Sequence, residues 1–247
     1  MLDVLLAAPD DFHRAIDLPY AIPNVTVDYV RHEPPGIPTA FWRGVGPTHN
    51  IYVVESFVDE LAAAGKDPLA YRQALLAGNP RAFAVLERAT RMAGWETPLG
   101  PRRGRGIAIQ HVFGTYLTEV AEVSVAGDGE VRVDRVVCAC DCGVIVNPDT
   151  VKAQLQSAII FGLTAVLYGE ITLKNGRVEQ GNFDDYQMLR IDQTPVIDID
   201  LVPSREAPGG IGEAGTCALA PAVLNAVHAA TGVRLRKLPI KPELLKT

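Results

Sequence analysis

Glu119-Val120-Ala121-Glu122-Val123-Ser124-Val125 and Val131-Arg132-Val133-Asp134-Arg135-Val136-Val137-Cys138-Ala139-Cys140 flank the turn signal Gly127-Asp128-Gly129. Runs of period two, rich in β-branched residues, on both sides of a glycine turn predict a β-hairpin. Gly106 to Gln110 predicts a strand upstream, and Val196 to Val202, alternating apolar with acidic residues, predicts a half-buried one downstream. Asn175-Gly176 predicts a second hairpin, joining Ile171-Thr172-Leu173 to Arg177-Val178-Glu179.

Before residue 105 the period is helical. Asn50 to Leu61 carries apolar residues at helical spacing, closed by Gly65. Asp67-Pro68 places an N-cap before a first-turn proline and opens a helix to about Ala77; Pro80 to Ala93 forms another, closed by Gly94. Asn147-Pro148 opens a long helix to about Tyr168, and Ala222 to Ala230 forms a last one. Helices mixed with hairpin-joined strands define an α+β class. The change of period suggests a subdomain split near residue 105. Residues 1–40 are proline-rich, read as a connecting segment that continues from something before it, with an extended piece at Val25 to Val30.

The chain has 247 residues, 48% hydrophobic and 21% charged, enough to bury a substantial core. A formal charge of -6 and a pI near 5.4 argue against a nucleic-acid surface. Its basic clusters, Arg102-Arg103-Gly104-Arg105 and Arg234-Leu235-Arg236-Lys237, are short. Met1 to Ala8 lacks a basic leader, and the apolar run Ser157 to Tyr168 is shorter than the roughly 20 residues a bilayer requires. A soluble protein without a membrane span is expected, in the cytoplasm or the periplasm. Cys138, Cys140 and Cys142 alternate along a strand pattern, so they share one face about 6.5 Å apart. That spacing suits buried free thiols better than a shared zinc or a disulfide. His49, His111 and His228 show no common ligand spacing, so no metal-ligating set is read.

Three glycine-rich junctions could carry chemistry. Gly209-Gly210-Ile211-Gly212-Glu213-Ala214-Gly215-Thr216 sets one carboxylate among four glycines, before a helix pattern that opens near Pro221. Glycines can take positive φ and let backbone approach a ligand, and a helix start offers free N–H groups to anions. Glu213 is a candidate general base there, or a solvated loop carboxylate. Phe41-Trp42-Arg43-Gly44-Val45-Gly46-Pro47 also precedes a helix; Arg43 could contact a phosphate or oxyanion, or lie on a surface turn. Asp141-Cys142-Gly143 leads through a loop to Asn147-Pro148, where Asn147 is either a cofactor contact or a helix cap. Gln154 and Gln156 could bond a ligand or water, and Asn182 to Tyr186 could be a supporting network or a capped turn.

The order of these motifs resembles one family. Trp42-Arg43-Gly44-Val45-Gly46, the helix with Glu55-Ser56-Phe57-Val58-Asp59-Glu60-Leu61-Ala62, and Asp67-Pro68-Leu69 come first. Asp141-Cys142-Gly143, Asn147-Pro148, Gln154 and Asn182-Phe183-Asp184-Asp185-Tyr186 follow, then Gly210-Ile211-Gly212-Glu213 and Ala220 to Gly232. Over roughly residues 36–240 the chain resembles the C-terminal molybdopterin-binding region of the large subunit in the xanthine dehydrogenase and aldehyde oxidase family. It is most similar to the isoquinoline 1-oxidoreductase beta-subunit type. The resemblance assigns residues 41–247 to that region and residues 1–40 to the connection from an N-terminal half.

The resemblance implies an oxidoreductase that hydroxylates an N-heteroaromatic or aldehyde carbon with oxygen from water. It implies molybdopterin with molybdenum, in the cytosine dinucleotide form, and a 2Fe–2S small subunit as electron partner. Glu213 would be the general base toward the water-derived oxygen. Arg43, Gly44, Val45, Gly46, Gly210 and Gly212 would line the cofactor. Val45 stands where xanthine-type members carry an aromatic ring, which argues against a purine substrate. Ser157 stands where many members have glycine. The family's large subunits are about three times as long, so the implied partners include the N-terminal half. The alternative is a non-catalytic remnant or fragment that keeps the fold and binds no cofactor alone. A small hydrolase is a further reading, but no Gly-x-Ser-x-Gly elbow is present.

Overall fold

The structure, a computed structural model, describes residues 17–27 and 40–247. Helices α1 (Val45–Ala63), α2 (Pro68–Leu75) and α3 (Pro80–Ala93) lead into strands β1 (Arg103–Val112), β2 (Thr115–Val125) and β3 (Val131–Asp141). Helix α4 (Pro148–Leu167), the short strands β4 (Leu173–Lys174) and β5 (Arg177–Val178), strand β6 (Val196–Leu201) and helix α5 (Leu219–Thr231) complete the chain. The main sheet runs β1-β2-β3-β6, antiparallel except for the parallel pair β3/β6. The α+β expectation holds.

Local chemistry sets most boundaries. Asp67 caps α2 by accepting from the amides of Leu69 and Ala70, both at 2.9 Å, and Asn79 caps α3. Gly94 ends α3 in the left-handed conformation, φ 63°. The Gly127–Gly129 turn joins β2 to β3 as read, with Gly129 at φ 90°. The second hairpin is shorter than read, two residues on each side.

Four features depart from the sequence reading. Helix α1 begins at Val45 rather than Asn50, because Gly44 at φ 95° serves as its N-cap and Pro47 fits a first turn. Strands β1 and β2 extend beyond the segments read and join at Phe113-Gly114, both at positive φ, φ 55° and 76°. Phenylalanine gives no turn signal. Helix α5 begins at Leu219, ahead of Pro221, and a separate single turn, Ala214–Thr216, precedes it. Of the extended piece read at Val25 to Val30, residues 25–27 form no regular element and residues 28–30 lie outside the described residues.

The sheet is buried on both faces. Ile107, Ile109, Val120, Val137 and Ala139 pack against α1 and α3 through Val58, Val85, Leu86 and Ala89. Ala108, Leu117, Ala121, Cys138 and Cys140 pack against α4 and α5 through Leu155, Ile159, Leu163, Val223 and Val227. Each fully buried Leu or Ile contributes about 1.5–3 kcal/mol. The alternating cysteines share one face as expected, and all four thiols are free and buried. Helix α5 lies so close to β1 that a Cβ on Gly106 would sit 2.1 Å from the Ala226 nitrogen. Helix α4, at 20 residues, is long and apolar enough to cross a membrane, more than its apolar run suggests. Its Leu155, Ala158, Ile159, Leu163 and Val166 are nevertheless buried against the protein's own core.

Candidate active site

The loop carrying Glu213 is held from below. Its glycine Gly209 donates to the Cys142 carbonyl at 2.8 Å and Gly210 to the Phe113 carbonyl at 2.7 Å. Thr115 Oγ1 donates to the Gly210 carbonyl at 2.8 Å, and Gln110 Nε2 donates to the Ala214 carbonyl at 2.5 Å. The loop thus rests on the β1–β2 turn and on the end of β3. No residue of this glycine run takes positive φ. Close packing is the observed reason for glycine: a Cβ on Gly209 would lie 2.6 Å from Thr115 Oγ1, and one on Gly210 would lie 2.9 Å from Phe113 Cβ. Gly212 differs, because a Cβ there would meet nothing within 4 Å. The loop is open beside Glu213.

The two glycine motifs meet. Glu213 Oε1 accepts a hydrogen bond from the Gly44 amide at 3.1 Å. The helix start that faces this carboxylate is therefore that of α1, not the following α5. An N-terminal amide and the helix dipole both favour an anion there. Glu213 is half-buried, Gly44 and Gly46 are buried, and Val45 takes φ 52°. Beneath Gly44 lies Cys217, whose thiol donates to the Gly44 carbonyl at 3.7 Å and sits 3.5 Å from Thr48 Oγ1. Burial pushes that thiol up to about 12, against the hydrogen bond to Thr48, so it remains protonated at neutral pH.

Arg43 clamps the loop to α4. Its Nε and Nη2 donate to the Gly212 carbonyl at 3.0 and 2.7 Å. Nη1 donates to Ser157 Oγ at 2.9 Å, and Nη2 donates to Gln154 Oε1 at 3.1 Å. Trp42, next to it, lies 4.8 Å from the Phe161 ring, centroid to centroid. A pocket of about 430 Å³ lined by Trp42, Ser157, Phe161, Tyr186 and Met188 adjoins this corner.

Arg43, Gly44, Gly212 and Glu213 are therefore neighbours, with Val45 and Gly46 in the first turn of α1. Gly210 lies lower, against Phe113. The Asp141 junction supports the loop from behind: Arg81 holds Asp141 at 2.7 and 2.8 Å, and Gly143 donates to the same carboxylate. These contacts outweigh the burial that would raise Asp141 and hold it below the ordinary aspartate range. Asn147 caps α4, accepting from Asp149 and Thr150, and Asp185 caps its own turn at Gly181 and Asn182. Thr48, Ser157 and Cys217 support the site without any local signal, since each acts across more than a hundred residues or from inside a helix. Among the described residues no three His, Cys, Asp or Glu side chains gather as a metal-ligand set.

Residues 87–195 match the molybdopterin cofactor-binding domain family. The chain is 34% identical over 213 residues to the isoquinoline 1-oxidoreductase subunit beta of Brevundimonas diminuta, covering 84% of this chain and 27% of that protein. It is 35% identical over 221 residues to a protein of Gluconacetobacter polyoxogenes named as a membrane-bound pyrroloquinoline-quinone aldehyde dehydrogenase, covering 81% and 29%. The aldehyde oxidoreductase of Desulfovibrio desulfuricans shares the fold, with a TM-score of 0.68 at 16% identity over 83% of this chain and 41% of that one. The chain thus carries a molybdopterin cofactor-binding domain, and its relatives are of the xanthine dehydrogenase and aldehyde oxidase family. It spans little more than a quarter of the length of the curated relatives it matches.

Proposed function

We propose that this chain provides the general base and one wall of the cofactor site of a molybdenum hydroxylase acting on an N-heteroaromatic or aldehyde carbon, with water as the oxygen source. The observation that carries this reading is the Glu213–Gly44 hydrogen bond, which joins the two glycine motifs at one helix N-terminus. The residues fit an anionic cofactor. Gly44, Val45 and Gly46 bring the helix start of α1 beside Glu213, Arg43 adds positive charge, and the side beside Gly212 is open. Gly210 supports the loop from below. When bound, the cofactor supplies the two-electron redox chemistry.

The chain's own part is to hold and move a proton. Glu213 presents Oε1 to the Gly44 amide, which leaves its other oxygen for the water-derived nucleophile. The amide bond fixes the direction of the carboxyl group. Arg43 fixes the loop on which that carboxylate rides. The N-terminal half of the large subunit would supply the remaining wall, and a 2Fe–2S small subunit would take up the electrons. The cytosine dinucleotide form of molybdopterin is the form proposed. The names of the relatives support both substrate classes, isoquinoline on one side and aldehyde on the other.

The test uses the native assembly purified from its host, with molybdenum and iron quantified. Stoichiometric molybdenum is expected; none would favour the reading in which the fold persists without cofactor. In the loaded assembly, Glu213→Gln should lose turnover by about 10²–10⁴-fold and keep its metal. Normal turnover with full molybdenum would overturn the assignment of the base.

A further inference from the structure

Directly under the Glu213 loop lies a polar cluster that the proposed reaction does not use. Glu119 on β2 pairs with Ala108 on β1 and with Cys138 on β3. It shares a face with Leu117 and Ala121, so its side chain enters the core on the α4 and α5 side. Gln110 lies diagonally across on the same face, at a separation of about 7–8 Å for such neighbours. Thr216 belongs to the Ala214–Thr216 turn, which packs on β2 and accepts from Gln110 Nε2 through the Ala214 carbonyl. Glu119 and Gln110 are fully buried and Thr216 is 1% exposed. Both Glu119 carboxyl oxygens, Gln110 Oε1 and Thr216 Oγ1 have no protein partner.

Four unpaired buried oxygens from three elements are not a random lapse. Buried polar atoms in native proteins are paired with protein or with ordered water, and a buried water typically makes about three such bonds. The geometry points to Glu119 as a positioning residue for Glu213: with Gln110 and Thr216 it holds bridging water beneath the Ala214–Thr216 turn, and so fixes the loop that carries the base. The inference rests on the proposed role of Glu213. Burial pushes the Glu119 carboxyl well above the ordinary carboxylate range, which favours its protonated form, a hydrogen-bond donor. The titratable groups facing it are the Cys138 and Cys217 thiols, both also raised by burial. A protonated carboxyl here is chemically close to the amide of glutamine.

The experiment compares variants in the intact, molybdenum-loaded assembly. Glu119→Leu removes both oxygens at similar volume; kcat should fall about tenfold with KM within about twofold and molybdenum unchanged, the pattern of a misplaced base. Glu119→Gln should restore kcat to within about twofold of the parent. Parental kcat in Glu119→Leu, or a Gln variant as poor as the Leu one, would overturn the proposal. Thr216→Val removes only Oγ1 and is the second probe should Glu119→Leu fail to fold; a severalfold loss of kcat supports the proposal and parental kcat overturns it. A high-resolution crystal structure should show water bonded to Glu119 and Thr216, and a dry cluster would overturn the inference. Glu213→Gln is assayed alongside. Its normal turnover would overturn the base assignment alone, and the crystallographic water would then decide the Glu119 cluster.

Discussion

The Glu213 carboxylate and the Gly44 amide meet at 3.1 Å across 169 positions of sequence. This bond exists because Gly44 takes φ 95° and turns its N–H outward at the start of α1. A side chain has no place there. A Cβ would sit 2.1 Å from Thr48 Oγ1 and 3.0 Å from Cys217 Sγ. Gly44→Ala is therefore expected to destabilise the protein by about 1–3 kcal/mol and to displace the amide from Glu213. Chemical denaturation and turnover at matched molybdenum content measure the two effects. An alanine variant with parental stability would show that the helix start relaxes freely.

Arg43→Lys probes the clamp rather than the charge. One ammonium cannot reach the Gly212 carbonyl, Ser157 Oγ and Gln154 Oε1 together, as the planar guanidinium does. Turnover should fall by about 10–100-fold, because a small shift of the loop misplaces Glu213. Stability should change by only about 0.5 kcal/mol, since the side chain is partly exposed. Steady-state kinetics on the lysine variant settle this, and unchanged kcat would mean that charge alone matters.

Local chemistry made much of the fold legible. The Asn147, Asp67 and Asn79 caps, the Gly127–Gly129 hairpin and the buried cysteine face follow from residues adjacent in sequence. The Phe113-Gly114 turn did not, because its conformation is imposed by the strands it joins and its carbonyl holds Gly210. In sequence Glu213 stands before the next helix, whereas the helix start that meets it is that of α1, a matter of tertiary packing. Glu55 shows the same limit. In sequence it is one polar residue on an amphipathic helix; in the fold it is fully buried.

Glu55 anchors α1, and through it Gly44. Its carboxylate accepts from Arg72 Nε at 3.0 Å, from the Ile109 amide at 3.0 Å and from Tyr20 Oη at 2.6 Å. Arg72 is fully buried and also faces Asp59 at 3.5 Å. Its pKa is raised although burial opposes the charge, because Glu55, Tyr20 and Asp59 outweigh it. Arg72→Met should cost about 3–5 kcal/mol, since it leaves carboxylates buried without their cation. Urea unfolding measures the loss. A cost under about 1 kcal/mol would show that water reaches Glu55 in the variant.

Glu119 makes a stability prediction with a definite sign. Its carboxyl is raised by burial alone, far from the unfolded glutamate value of about 4.3. Above that value the unfolded chain has released a proton that the native state keeps. The linked stability is fully present below about pH 4.3 and is lost as pH rises toward the folded value. Glutamine cannot titrate, so Glu119→Gln lacks this loss. Unfolding free energies of parent and variant, measured from about pH 5 upward, should diverge in favour of the variant as pH rises. The difference between the two proteins isolates Glu119 from other titrating groups, including Asp141. That carboxylate contributes the opposite slope, its stability being lost as pH falls through its lowered pKa. Parallel curves would mean that Glu119 is ionised in the native state, which would require a cation beside it.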